Sequence, residues 1–356
     1  MNSEHLTEYA GLPIVDFLTE GAEKTHLYEA FQRDRRDGVE TPTSTPHRER
    51  MEKAMTAPAS VAWRLHLHEG PETFSHYMAR FVREVDTSRV TALVIGSWAG
   101  WDNSDVPSDV ARDALIEHVS AFPALSSVFL GDITFEECEI SWLQQCDLAP
   151  LLTAYPRLSE VTVRGVGDPD RTTKTYPLSL KVPEHTGLRS LTLQSGGLPG
   201  TVVRGVVSSG LPHLEHLELW LGVKDYGGDA VPEDLAPVLS GDAFPNLRHL
   251  GLRNAQDTGL WLRALVDSPV LARLTSVDLS EGSLRGRDVD HLLASVPALA
   301  HLESLDLHHH YLSEEETERV CAAFAAAGVE VDLSEREVPD GDEPDDEYAY
   351  YPSVTE

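Results

Sequence analysis

Asp306, His308, His309 and His310 follow closely in LDLHHHYLSEE, and Asp278 lies upstream in the similar stretch SVDLS. Carboxylate plus imidazole is a donor set for zinc, manganese or iron. On adjacent strands, about 4.8 Å apart, Asp278, Asp306 and His308 could share the site of a metal-dependent enzyme. Side chains on adjacent strands stack in rows rather than wrap an ion, however, and no H-E-x-x-H, G-x-S-x-G or G-x-x-x-x-G-K-[ST] sequence occurs. Catalysis is therefore the alternative reading, and neither a metal nor any other cofactor is expected. The first reading is non-catalytic binding. Trp220 in HLELWLG and Arg253 in HLGLRN occupy matching places, with His216, Glu218, His249 and Arg164 around them. Trp and Arg most often dominate interface energies. An exposed Trp220 beside Arg253 would hold an extended protein or peptide segment, whose cationic side chains Asp278 and Asp306 would receive.

A second acidic stretch, GDITFEECEISWLQQCDLAP, carries Asp132, Glu136, Glu137, Glu139 and Asp147. Its spacing does not fit the calcium loop D-x-[DN]-x-[DN]-G, so a solvated rim loop is expected. Cys138 and Cys146 lie in it without histidine or basic neighbours to activate a thiolate. Trp98 and Trp101 stand in a loop near Asp102 and Asp105, where they could form a ligand lip, though packing over the solenoid edge is the commoner outcome.

The elements that must position these residues repeat. FPNLRHLGLRN, residues 244–254, contains Leu247, Leu250 and Leu252 in the order L-x-x-L-x-L. The middle apolar residue recurs as Leu93, Val128, Val161, Leu191, Leu217, Leu250, Val277, Leu305 and Val331, at steps of 35, 33, 30, 26, 33, 27, 28 and 26 residues. An earlier copy centres on Leu65 in VAWRLHL. In L-x-L the two apolar residues face one side of a strand and the residue between faces the other. Helical patterns lie between the copies, as at residues 110–119, 200–208, 260–266, 289–296 and 317–326. Ser313 and Glu316 form a capping box before the last of these. Strand then helix, repeated, predicts an α/β solenoid with parallel strands.

This period and motif resemble leucine-rich repeats over residues 59–334. The resemblance implies a ribonuclease-inhibitor-like horseshoe of about nine or ten repeats, with the sheet on its concave side and helices on its convex side. The family usually places Asn or Cys three residues after the last leucine; here those places hold other residues, among them Gly196, Ala255 and His310. GDITFEECEISW and LDLHHHYLSE also make the chain similar to a bacterial family of stand-alone leucine-rich-repeat proteins encoded beside radical-SAM and ATP-grasp-type proteins. That likeness implies an accessory or recognition role in a modification pathway.

Lys+Arg number 28 against Asp+Glu 59 in 356 residues, a net charge of −31. Such a surface repels phosphate backbones and anionic lipid, so neither nucleic acid nor membrane is an expected partner. No apolar run reaches the roughly 18 residues of a membrane span, and the first residues do not read as a secretory signal. Three cysteines without C-x-x-C fit a reducing cytoplasm. No pattern in the sequence speaks to oligomeric state. Residues 1–58 are expected to form an N-terminal cap followed by a flexible charged linker, most basic at Arg33, Arg35 and Arg36. Residues 335–356 are expected to form a disordered acidic tail, made more adhesive by Tyr348, Tyr350 and Tyr351.

Overall fold

The computed structural model describes residues 4–37, 45–100, 103–167, 177–340 and 349–355, with side chains at 30 and 32–37 excepted. Trp101, Asp102, Tyr348 and the side chains of Arg33, Arg35 and Arg36 lie outside the described residues. Two compact units divide the chain, residues 2–167 and 168–356.

The first unit runs β1 (Glu8–Tyr9), β2 (Leu12–Phe17), α1 (Glu20–Asp37), α2 (Pro46–Thr56), β3 (Ala62–Leu65), α3 (Phe74–Glu84), β4 (Ala92–Ile95), α4 (Asp109–Glu117), β5 (Ser127–Leu130), α5 (Ala149–Ala154) and β6 (Glu160–Arg164). Its strands lie side by side in chain order, antiparallel between β1 and β2 and parallel thereafter. Val15, Trp63, Leu93, Val128 and Val161 share one register row. The earliest repeat is therefore centred on Trp63 rather than Leu65, two residues away and on the same strand face. LPIVDFL adds a further parallel strand before it. Phe74, Tyr77, Met78 and Phe81 are spaced by three and four residues, so α3 buries one stripe. Phe81 meets Phe17 and Trp63 edge-on at 5.1 and 5.5 Å.

The stretch expected as a flexible linker includes α2. Thr45 caps it by accepting from Arg48 N–H at 3.2 Å, Pro46 opens it, and Met51 and Ala54 are buried. Local capping and one apolar stripe outweigh the charged composition.

The second unit runs β7 (Ser190–Gln194), α6 (Gly200–Val207), β8 (His216–Gly222), α7 (Ala236–Leu239), β9 (His249–Ala255), α8 (Thr258–Val266), β10 (Ser276–Asp278), α9 (Val289–Leu299), β11 (Ser304–Asp306), α10 (Glu314–Ala327) and β12 (Glu330–Asp332). All six strands are parallel neighbours in chain order, and Leu191, Leu217, Leu250, Val277, Leu305 and Val331 stand in one row. Leu217 and Leu250 are fully buried. Burying such a side chain stabilises by about 1.5–3 kcal/mol. The capping box opens α10: Glu316 accepts from Ser313 N–H at 2.8 Å, and Ser313 Oγ accepts from Glu316 N–H at 3.3 Å. Strand–helix units of this kind fit a repeat solenoid.

The C-terminal acidic segment corrects a further expectation. Residues 341–348 lie outside the described residues, but 349–355 pack onto the second unit rather than trail in solvent. Ala349 and Val354 are buried. Asn254 Oδ1 accepts from Val354 N–H at 2.9 Å, and Asn254 Nδ2 donates to Val354 O. Arg285 lies 4.4 Å over the Tyr350 ring, and Tyr311 donates to Tyr351 O at 2.8 Å. Two apolar side chains and a buried carboxamide needing partners outweigh the acids. No helix among the described residues is long and apolar enough to cross a membrane.

Candidate functional site

Alternation along β8 to β12 turns Leu217, Leu250 and Val277 inward and places the residues beside them on the opposite face. There Glu218, Gly251, Asp278, Asp306 and Asp332 form one register row. Arg253, two residues past Gly251, reaches back across the glycine. Its Nη1 meets Glu218 Oε1 at 3.1 Å, its Nε meets Asp278 Oδ2 at 3.4 Å and its Nη2 meets Glu281 Oε1 at 3.0 Å. A Cβ at position 251 would stand 2.8 Å from Glu218 Cγ, so glycine is what lets the Glu218 side chain lie there.

Trp220 is not the exposed anchor expected from its place on a strand face. It is 8% exposed, its indole N–H donates to Glu218 Oε1 at 2.6 Å, and the Arg253 guanidinium lies 4.9 Å over its ring. The neighbouring arginine and carboxylate give Trp220 both a lid and an acceptor.

The two histidines stack. The rings of His216 and His249, register partners on β8 and β9, lie 4.0 Å apart and 4° from parallel. His249 Nδ1 is 2.8 Å from Ser276 Oγ, and His216 Nε2 is 3.5 Å from Glu218 Oε2. Burial, then the nearby His216, pushes the His249 pKa down to about 4. Burial opposes ionisation of Glu218, yet His216, Arg253 and the Trp220 N–H hold its carboxyl at about 2. Burial raises the carboxyl pKa of Asp278 and of Glu281, against the pull of Arg253. Glu218, Asp278 and Glu281 thus share one guanidinium. His249 Nε2, Arg253 Nε, Ser280 Oγ and Glu281 Oε2 are buried in this neighbourhood without hydrogen-bond partners.

Asp278, Asp306 and His308 do not converge as one set. Asp278 faces Arg253 and accepts from Ser280 N–H at 2.9 Å. Asp306 Oδ1 instead meets His308 Nδ1 at 2.7 Å, and Asp332 joins that pair. His310 is fully buried, with Nε2 3.0 Å from Leu333 O.

Arg164 belongs to the first unit. It is buried, donates to Ile133 O at 3.0 Å and lies 5.4 Å over the Phe129 ring. On this face of the first unit, Ala62, Ala92, Val94 and Phe129 pack with Tyr9, Leu6, Leu12 and Ile14. The N-terminal segment covers the sheet there. The stretch expected as a solvated rim loop anchors it: Asp132 is buried and accepts from Arg64 Nη1 at 2.9 Å, while His5 reaches Asp132 Oδ2 at 3.6 Å and Glu137 Oε1 at 3.3 Å. The side-chain hydrogen bonds from Asp132 and Glu137 raise the His5 pKa to about 9. Asp132 carried a signal in the sequence as an acid of that stretch, and Arg64 as a charge within a strand. His5 carried none. Trp98 is buried and donates to Val106 O at 2.7 Å, so it packs rather than forming a lip.

No protein-family model and no curated protein matches the chain. Among solved structures it is similar to a Bacteroides fragilis protein that was a structural-genomics target, at 27% identity over 95% of this chain and 87% of that one, with a TM-score of 0.69. It also aligns with the yeast Rad7–Elc1 complex at 14% identity over 88% of this chain and 82% of that one, with a TM-score of 0.40.

Proposed function

We propose that the chain is a non-catalytic scaffold of the leucine-rich-repeat type that binds a protein or peptide segment on the strand face of its second unit. The segment presents Lys or Arg to that face. One observation carries the reading: the register row of carboxylates continues past Arg253 into Asp306 and Asp332, which have no arginine or lysine opposite them among the described ion pairs. Glu218, Asp278 and Glu281 are occupied by Arg253 and hold the face rigid. Asp306, with a side chain 34% exposed, and the exposed Asp332 remain open to a partner. Arg253 and Trp220 then act as supports beneath the binding surface, in place of the direct contacts their residue types suggest.

Selection of displayed peptides on the purified chain tests this. Lys- and Arg-containing peptides are expected to be enriched, and the Asp306→Asn, Asp332→Asn double variant to lose them. Exposed charge pairs contribute about 0.2–1 kcal/mol each, so the loss is several-fold at low salt and shrinks as salt is added. Enrichment of the same peptides by both proteins would sink the proposal.

A further inference from the structure

Past the carboxyl ends of β8 and β9 lies a cavity of about 300 Å3, at the lower end of the range for small-molecule sites. Arg285 lines it and is only 8% exposed. Its guanidinium makes no hydrogen bond or ion pair among the described residues, and its Nε is buried without a partner. The Tyr350 ring, 4.4 Å away, covers one face of the guanidinium and leaves the Nη edge. Burial, then Arg287, lowers the Arg285 pKa by more than Asp257 and Asp288 restore. A buried cation of this kind costs free energy unless an oxyanion meets it.

A second side chain of the lining is in the same position. Trp261 is 3% exposed. The indole N–H groups of Trp63, Trp98, Trp142 and Trp220 each reach an oxygen. That of Trp261 has no acceptor among the described residues, although buried indoles usually find one. Lys224, exposed and also in the lining, has no ion pair among the described residues. Guanidinium, indole and ammonium only donate. The acids of the lining are already engaged. Asp229 Oδ1 accepts from Gly200 N–H at 2.7 Å, and Asp257 accepts from Leu260 N–H at 3.0 Å and from Arg287 Nη2 at 3.2 Å. What the cavity lacks is an acceptor for Arg285 and Trp261.

We propose that this cavity binds a small organic monocarboxylate. Its carboxylate accepts from the Nη edge of Arg285 and from the Trp261 indole N–H, and its apolar body lies against Leu221, Val231 and Leu260. Two negative side chains in the wall disfavour a doubly charged phosphate and leave a single carboxylate as the fitting anion. The cavity is distinct from the carboxylate row of the strand face, and the inference does not rest on the peptide reading.

The test is titration of the nitrogen-15-labelled full chain with aromatic and branched aliphatic monocarboxylic acids and with their primary amides. The readout is the indole N–H signals of the six tryptophans. The signal missing from the Trp261→Phe spectrum should move saturably with at least one acid and stay in place with the matching amide. Arg285→Gln should weaken that acid about tenfold or more, the worth of a charge-assisted hydrogen bond. Because Arg285 is buried, a second variant is needed. Leu260 is exposed in the first turn of α8, where an acid suits the helix, so Leu260→Asp keeps the fold and should repel the same ligand. Circular dichroism checks both chains. No acid moving the Trp261 signal, an amide moving it equally, or wild-type affinity in the folded Leu260→Asp and Arg285→Gln chains would each overturn the assignment.

Discussion

His5 stands between Asp132 and Glu137 and gains a proton on folding, because two carboxylates face one imidazole. Its pKa rises from 6.5 to about 9. The stabilisation it gives is therefore complete below pH 6.5 and is lost as pH rises through about 9. The melting temperature should fall across that interval, and His5→Gln should start lower at pH 6 and flatten the fall. A wild-type slope in the variant would assign the titration to another group. The same scale explains what the sequence allowed at the second site. Glu218, Arg253 and Asp278 were legible as neighbours because strand side chains repeat every two residues and register aligns them. The burial of Trp220 was not legible. It follows from Arg253 folding back over Gly251, a choice made by a long side chain among three acids.

Elements with local causes were legible in advance. The α10 capping box and the apolar stripe of α3 need only residues three and four apart, and the helix patterns at 200–208 and 289–296 fall on α6 and α9. Elements that depend on distant partners were not. The acidic segment read as disordered because its composition is polar, yet Ala349 and Val354 are buried and Asn254 takes both polar groups of Val354. Removing residues 341–356 should destabilise the second unit by about 2.5–6 kcal/mol. The loss combines one buried valine, about 1.5–3 kcal/mol, with the Asn254 Oδ1 left without its Val354 N–H donor, about 1–3 kcal/mol. Urea unfolding of the truncated chain measures it, and an unchanged midpoint would show that this packing contributes nothing.

At the scale of the whole molecule, the repeat frame was legible because an apolar row recurs through β2 to β6 and again through β7 to β12, and its two missing pieces, Trp63 in place of Leu65 and the added β2, lie before the first clear copy. The net charge of −31 acts on the same scale. Like charges spread over the surface oppose compaction, so screening should help. Going from about 0.01 to about 0.1 M salt shortens the screening length from roughly 30 to roughly 10 Å. The melting temperature should rise by a few degrees, and a fall would mean that screened ion pairs matter more than self-repulsion. The contact between Asn254 and Val354 has a consequence in time. The two residues are 100 apart in sequence, so a ribosome makes β9 well before the segment that satisfies its last carboxamide. Until then Asn254 Oδ1 must keep water, although Nδ2 can already donate to Ser195 O and the backbone N–H to Ser280 O.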